Sequence, residues 1–340
     1  MTGPTPSLAV QLSQRGFKPR RWLANAHLQT IAGNFQRRDN LLPEPEERLF
    51  PVAPEVQVLC LCHWQRERRQ RPTVVIVHGL EGSARSTYVV GTSSLAWQRG
   101  WNVVRMNIRS CGGTERYCHT LYNSGLSADV RALAGLLTGA EGLPQIMLVG
   151  FSMGGNQVLK AMAEWGRESP PQVMAAAAIS PSADLSLCAD RIHRPSNYVY
   201  EWWFLHSLIR SLKRKARLFP TRIQVPTWWK ITSIRAFDEL VTAPQFGFLG
   251  AEDYYTRASS SRLLEHIARP TMVIHALDDP FVELSAATEA KLHANPWITY
   301  RRCRHGGHCA FLEDTEGPGD AGRWAEKRAV EFLAHALGEV

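Results

Sequence analysis

The chain has 340 residues, 44% hydrophobic and 21% charged, enough for one large core or for a core with an inserted subdomain. No run of about 18 consecutive apolar residues occurs, which excludes a membrane-spanning helix, and residues 1–22 hold no apolar segment after their charges, which argues against a signal peptide. The seven cysteines are odd in number and scattered, which points to reduced thiols in a cytoplasmic protein and not to a disulfide framework. A net charge of +8 brings nucleic acid or an acidic membrane into view, but no recognised nucleic-acid module accompanies it, so no nucleic-acid partner is expected.

Residues 1–50 read as an N-terminal extension packed on a core built from 51–185 and 265–340. An early strand is expected over 56–64, followed by a basic run, 66–71, that reads as a solvated loop. Residues 73–77 (TVVIV) are apolar without alternation, the pattern of a strand buried on both faces. A helix over 86–98 with Gly100 as its C-terminal cap, a strand over 102–108 and a helix over 126–137 follow. Strands are expected at 146–149, 173–179, 271–276 and 298–303, with a helix after the first of these and a closing helix over 324–337. This rhythm predicts an α/β fold with a mostly parallel sheet covered by helices on both faces.

The rhythm breaks over 186–264, a stretch rich in Trp, Tyr and Phe. It reads as a helical lid inserted after the sixth core strand, with most aromatics forming the lid's own small core and a few roofing a site. Within it Leu208, Ile209 and Leu212 recur near helical spacing around the basic run 213–217. Such a helix either makes peripheral contact with a membrane or packs on the core as an ordinary surface helix.

Gly150-Phe151-Ser152-Met153-Gly154 joins the strand at 146–149 to the next helix. A G-x-S-x-G on a strand-to-helix turn is a nucleophile elbow, whose glycines make room for a tight turn that presents Ser152. A serine hydroxyl needs a base, and the base needs an orienting carboxylate; behind such an elbow they follow in the order acid, then histidine. Asp278 and Asp279 both lie just past the strand at 271–276; Asp279 is preferred because it stands immediately before Pro280. Asp184 is the weaker choice, better read as a cap or turn residue. After the last strand comes His305-Gly306-Gly307-His308, where His308 is preferred as base and His305 is the alternative. The two histidines lack a third ligand at sensible spacing, so neither a metal nor an organic cofactor is expected. Backbone N–H groups of Met153 and of Leu80, in the loop His78-Gly79-Leu80-Glu81-Gly82-Ser83, are the expected oxyanion donors. His78 stands in the wrong chain order for a base and reads as a support for that loop.

These motifs, together with Asn25-Ala26-His27-Leu28-Gln29-Thr30-Ile31, Arg109-Ser110-Cys111-Gly112-Gly113 and Tyr122-Asn123-Ser124-Gly125, resemble the YheT-like branch of the α/β hydrolases, related to the abhydrolase-domain lipases. The likeness runs over roughly 20–312. It implies the α/β-hydrolase fold and a carboxylic-ester hydrolase for medium- or long-chain acyl esters, with Ser152, Asp279 and His308 as its charge relay. The partner implied is a small-molecule acyl ester. Acyl transfer to an alcohol or thiol, and a non-catalytic acyl-ligand binder, remain the alternatives. The chain departs from the family pattern at Ser110 and Ala310, where glycine is usual.

Overall fold

The computed structural model describes residues 16–36, 40–315 and 322–339. Its elements begin with helix α1 (Ala26–Phe35) and strands β1 (Glu46–Ala53), β2 (Val56–His63) and β3 (Thr73–Val77). Helix α2 (Thr87–Gln98), strand β4 (Asn102–Met106), helix α3 (Ser127–Gly139), strand β5 (Ile146–Phe151), helix α4 (Met153–Trp165) and strand β6 (Val173–Ile179) follow. After β6 come α5 (Leu185–Ile192), α6 (Tyr198–Leu218) and α7 (Ala251–Ala258), with short helical turns between them and no strand among the described residues. Strand β7 (Thr271–Ala276), helix α8 (Ala286–Ala294), strand β8 (Ile298–Cys303) and helix α9 (Trp324–Leu337) complete the chain.

The strands form one sheet in the order β1-β2-β4-β3-β5-β6-β7-β8. β1, β2 and β4 are joined antiparallel, and every pair from β4 to β8 is parallel. The unbroken apolar runs explain the centre. In β3, Val75 and Val77 enter one core cluster while Val74 and Ile76 enter the other, so both sheet faces are covered. β5 and β6 divide their side chains in the same way. This is the α/β-hydrolase arrangement.

Two elements depart from simple periodicity. β1 starts at Glu46, ahead of the expected start of the core; only Phe50 and Val52 on it are buried, and Pro51 is tolerable because the strand is at the edge. α1 buries Gln29, Thr30 and Gly33 and exposes Leu28, Ile31 and Phe35, the reverse of an ordinary amphipathic helix.

The family departures lie at tight places. Ser110 sits at φ 65°, in the left-handed region that favours glycine. Ala310 meets α1 at Gly33, where an added Cβ would lie 2.6 Å from the Ala310 Cβ.

Candidate active site

The elbow is a close approach of two backbones. A Cβ built on Gly150 would lie 2.3 Å from the Gly154 carbonyl oxygen, and one on Gly154 would lie 2.4 Å from that of His78. Between them Ser152 adopts φ 52° and ψ −118°. That conformation costs on the order of 1–3 kcal/mol for an L-residue and survives only where surroundings fix it. They do: Ser152 N–H donates to Ile179 O at 2.9 Å, and its carbonyl accepts from Asn156 and Ser182.

The loop after β3 passes against the serine, since a Cβ on Gly79 would come within 3.1 Å of the Ser152 Cβ. His78 is wholly buried. Its Nε2 accepts from Ile108 N–H at 3.0 Å, so Nδ1 carries the hydrogen and donates to Gly79 O at 2.7 Å. Burial, only partly opposed by that bond, pushes its pKa down to about 4 and keeps it neutral. His78 is a brace for the loop. Among the described residues no protein acceptor meets the N–H of Leu80 or of Met153, and both residues line the same pocket as Ser152.

Beyond β7 and β8 the two aspartates and two histidines sort into separate pairs. His308 Nδ1 lies 2.8 and 3.1 Å from the Asp279 carboxylate oxygens. Asp279 has no exposed surface, and its Oδ1 also accepts from Phe281 and Val282 N–H at 2.8 and 3.0 Å. Burial alone would push the His308 imidazole down; the Asp279 carboxylate, with a smaller contribution from Cys309, outweighs it and holds the pKa well above 6.5. Asp278 faces His305 Nδ1 at 3.2 Å and accepts from Gly307 N–H at 3.0 Å. Of these four residues, only His308 lines the pocket that holds Ser152. Asp184 is at the N-cap position of α5, but its carboxylate accepts from Ser285 N–H on the far loop.

Sequence reasoning assigned no role to residues that hold the His308 loop. His308 N–H donates to Thr30 Oγ1 at 2.9 Å, and that hydroxyl donates in turn to Ala26 O. Gln29 accepts from Leu312 N–H and donates to Leu23 and Leu312 carbonyls. Gly307, at φ 57°, fits under α1 only because it lacks a Cβ, which would lie 2.7 Å from both Ala26 O and Thr30 Oγ1. The Asn25–Ile31 motif is therefore a clamp on this loop, and its adjacent polar pair Gln29-Thr30 was the available signal.

The pocket is mainly apolar. Leu80, Met153, Leu185 and Phe281 line it, and the insertion adds Ile192, Phe204, Leu208, Phe237, Tyr254 and Tyr255. Trp202, Trp203 and Trp229 do not roof it; they are 57%, 56% and 64% exposed. Leu208 and Leu212 are buried against the core, so the apolar face of α6 noted in the sequence is packed inside the protein.

An open parallel sheet carrying an elbow serine opposite an Asp–His pair defines the hydrolases of the α/β-hydrolase fold. The chain belongs to that family, whose model matches residues 72–315, and within it to the branch of YheT. It is 32% identical to YheT of Escherichia coli (strain K12) across 96% of this chain and 95% of that one. It is 29% identical to phospholipase ABHD3 of Mus musculus across 72% of this chain and 59% of that one. A solved structure, 2,6-dihydroxy-pseudo-oxynicotine hydrolase, superposes with a TM-score of 0.58 at 16% identity, covering 92% of this chain and 72% of that one.

Proposed function

We propose that the chain is a serine carboxylic-ester hydrolase acting on medium- to long-chain acyl esters through an acyl-enzyme on Ser152. The observation that carries this reading is the strained Ser152 and the Asp279-held His308 lining one apolar pocket. Because Nδ1 is engaged by Asp279, Nε2 is the nitrogen left to act as base. It takes the Ser152 proton as Oγ attacks the ester carbonyl, and the N–H groups of Leu80 and Met153 hold the oxyanion. His308 then gives that proton to the departing alkoxide. Water, deprotonated by the same imidazole, attacks the acyl-enzyme; the acid leaves and Ser152 regains its proton. Relatives named phospholipase, monoacylglycerol lipase and medium-chain fatty acid ethyl ester synthase/esterase support the substrate class. The last name also supports a second reading, transfer of the acyl group to an alcohol, which product analysis with added ethanol would reveal. The test is hydrolysis of p-nitrophenyl esters from acetyl to palmitoyl, with fluorophosphonate labelling of Ser152. Turnover should peak at medium or long chains. A peak at acetyl would remove the chain-length assignment, and silence without labelling would sink the hydrolase.

The reading places the enzyme in the cytoplasm, supported by seven free cysteines, five of them buried. No helix among the described residues is long and apolar enough to cross a membrane. The outer face of α6 supports a peripheral contact instead. Val199, Trp203, His206, Arg210, Lys213 and Arg217 recur at three- and four-residue steps and all are exposed, aromatic at one end and cationic at the other. That charge matches an anionic bilayer. Flotation with phosphatidylglycerol-containing vesicles should show salt-sensitive binding that the triple variant R210Q/K213Q/R217Q loses, while its turnover of a soluble ester stays within about twofold. Equal binding by the variant would exclude this face.

A further inference from the structure

The oxyanion turn contains a carboxylate that the mechanism does not use. Glu81 follows Leu80 directly and sits at φ 52°, a left-handed conformation for a non-glycine residue. Hydroxyl groups surround its carboxylate. Tyr122 accepts from Glu81 N–H at 3.3 Å and donates to Oε1 at 2.5 Å. Ser207 and Ser211, one turn apart on α6, both meet Oε2, at 2.5 and 2.9 Å. A carboxylate has no hydrogen to give, so the three hydroxyls donate to it, while Ser211 Oγ also accepts from Arg214 and the Tyr122 oxygen from Glu81 N–H. Burial and the neighbouring carboxylate hold the Tyr122 phenol above its ordinary pKa, so it remains a donor.

We propose that Glu81 is a positioning residue that couples the seating of lid helix α6 to the geometry of the oxyanion turn. Two elements far apart in sequence meet at this one side chain. On one side it is continuous with the Leu80 N–H; on the other it is held by hydroxyls of the lid. With α6 seated, Ser207 and Ser211 pin Oε2, and the pin keeps the Glu81 backbone in its left-handed conformation, which aims Leu80 N–H at the pocket. Without those bonds the turn is free to relax. The site is then complete only with the lid in place.

The inference deepens the esterase reading and rests on it for its kinetic arm alone. Ser207 is the cleanest probe, since it touches Glu81 without lining the pocket. Ser207→Ala and the pair Ser207→Ala/Ser211→Ala are compared with wild type on a soluble p-nitrophenyl ester and by amide hydrogen exchange over residues 79–84. The pair should lower kcat by about 10- to 100-fold, the scale of a misaimed oxyanion donor, with KM within about twofold. Ser207→Ala should fall between the pair and wild type. Exchange over 79–84 should quicken in both, although the substitutions lie in α6. Unchanged exchange in the pair overturns the coupling whatever the activity, and so does a kcat within twofold of wild type. If wild type turns over no ester, the esterase reading fails and exchange alone decides the coupling.

Discussion

Ser152→Ala is expected to lower kcat for p-nitrophenyl ester hydrolysis by about 10⁴- to 10⁶-fold, to the level left by the oxyanion donors and binding alone. The fold should survive. The bonds that fix this residue come from its backbone, to Ile179 O and from Asn156 and Ser182 N–H, and alanine keeps them. Alanine also keeps the Cβ that makes φ 52° unfavourable, so thermal midpoints of the variant and wild type should agree closely. Ser152→Gly removes the same hydroxyl and also the strain, and it should be more stable than Ser152→Ala by about 1 kcal/mol. Equal inactivity with different stability would mark the elbow as a place where folding is compromised to present a nucleophile. Substantial turnover by pure Ser152→Ala would remove the serine mechanism.

Much of the sheet was legible because its centre is buried on both faces. Runs such as Thr73–Val77, Val173–Ile179 and Thr271–Ala276 have no alternative way to hide so many apolar side chains, and their limits match the strands. β1 was not legible, since an edge strand with two buried residues and a proline carries little pattern. α1 was hidden for a different reason. It is held in place through Gln29 and Thr30, which bond to loop backbones, and hydrophobic periodicity does not register such contacts. The insertion resisted reading because Trp202, Trp203 and Trp229 face outward while its buried positions include Glu201, Ser211 and Lys215. Lys215 is the extreme case: its ammonium is capped by the Glu115 and Cys118 carbonyls, so a basic run that reads as solvent-facing sends one of its members into the core.

The candidate site divides in the same manner. Chain order and glycine spacing brought out Ser152, the two Asp–His possibilities and the loop at Leu80. Which aspartate meets which histidine depends on a one-residue difference in where two loops turn, and that is a matter of tertiary geometry. Glu81 was in view as a letter of the H-G-L-E-G-S motif, but two of its partners, Ser207 and Ser211, come from α6, about 130 residues away along the chain.

Asp279→Asn should cost about 10³- to 10⁴-fold in kcat, because an amide both loses the charge that stabilises the imidazolium and can hold His308 in the wrong tautomer. Asp278→Asn should stay within about tenfold of wild type, since its amide oxygen can still accept from Gly307 N–H. The pH profile separates an orienting carboxylate from a loop support. His308 accepts the serine proton only when neutral. The Asp279 carboxylate holds its pKa well above 6.5 against burial, so the acid limb of kcat/KM in wild type should lie above the ordinary histidine range. In Asp279→Asn the raising influence of the carboxylate is gone, and burial, which lowers the value, is opposed only by the smaller raising influence of Cys309. The limb should then move to lower pH even as the plateau falls. A loop that had merely loosened would lower the plateau with the limb in place. If Asp278→Asn shows the larger loss and the shifted limb, the orienting role belongs to Asp278, and the pair it forms with His305 becomes the working one.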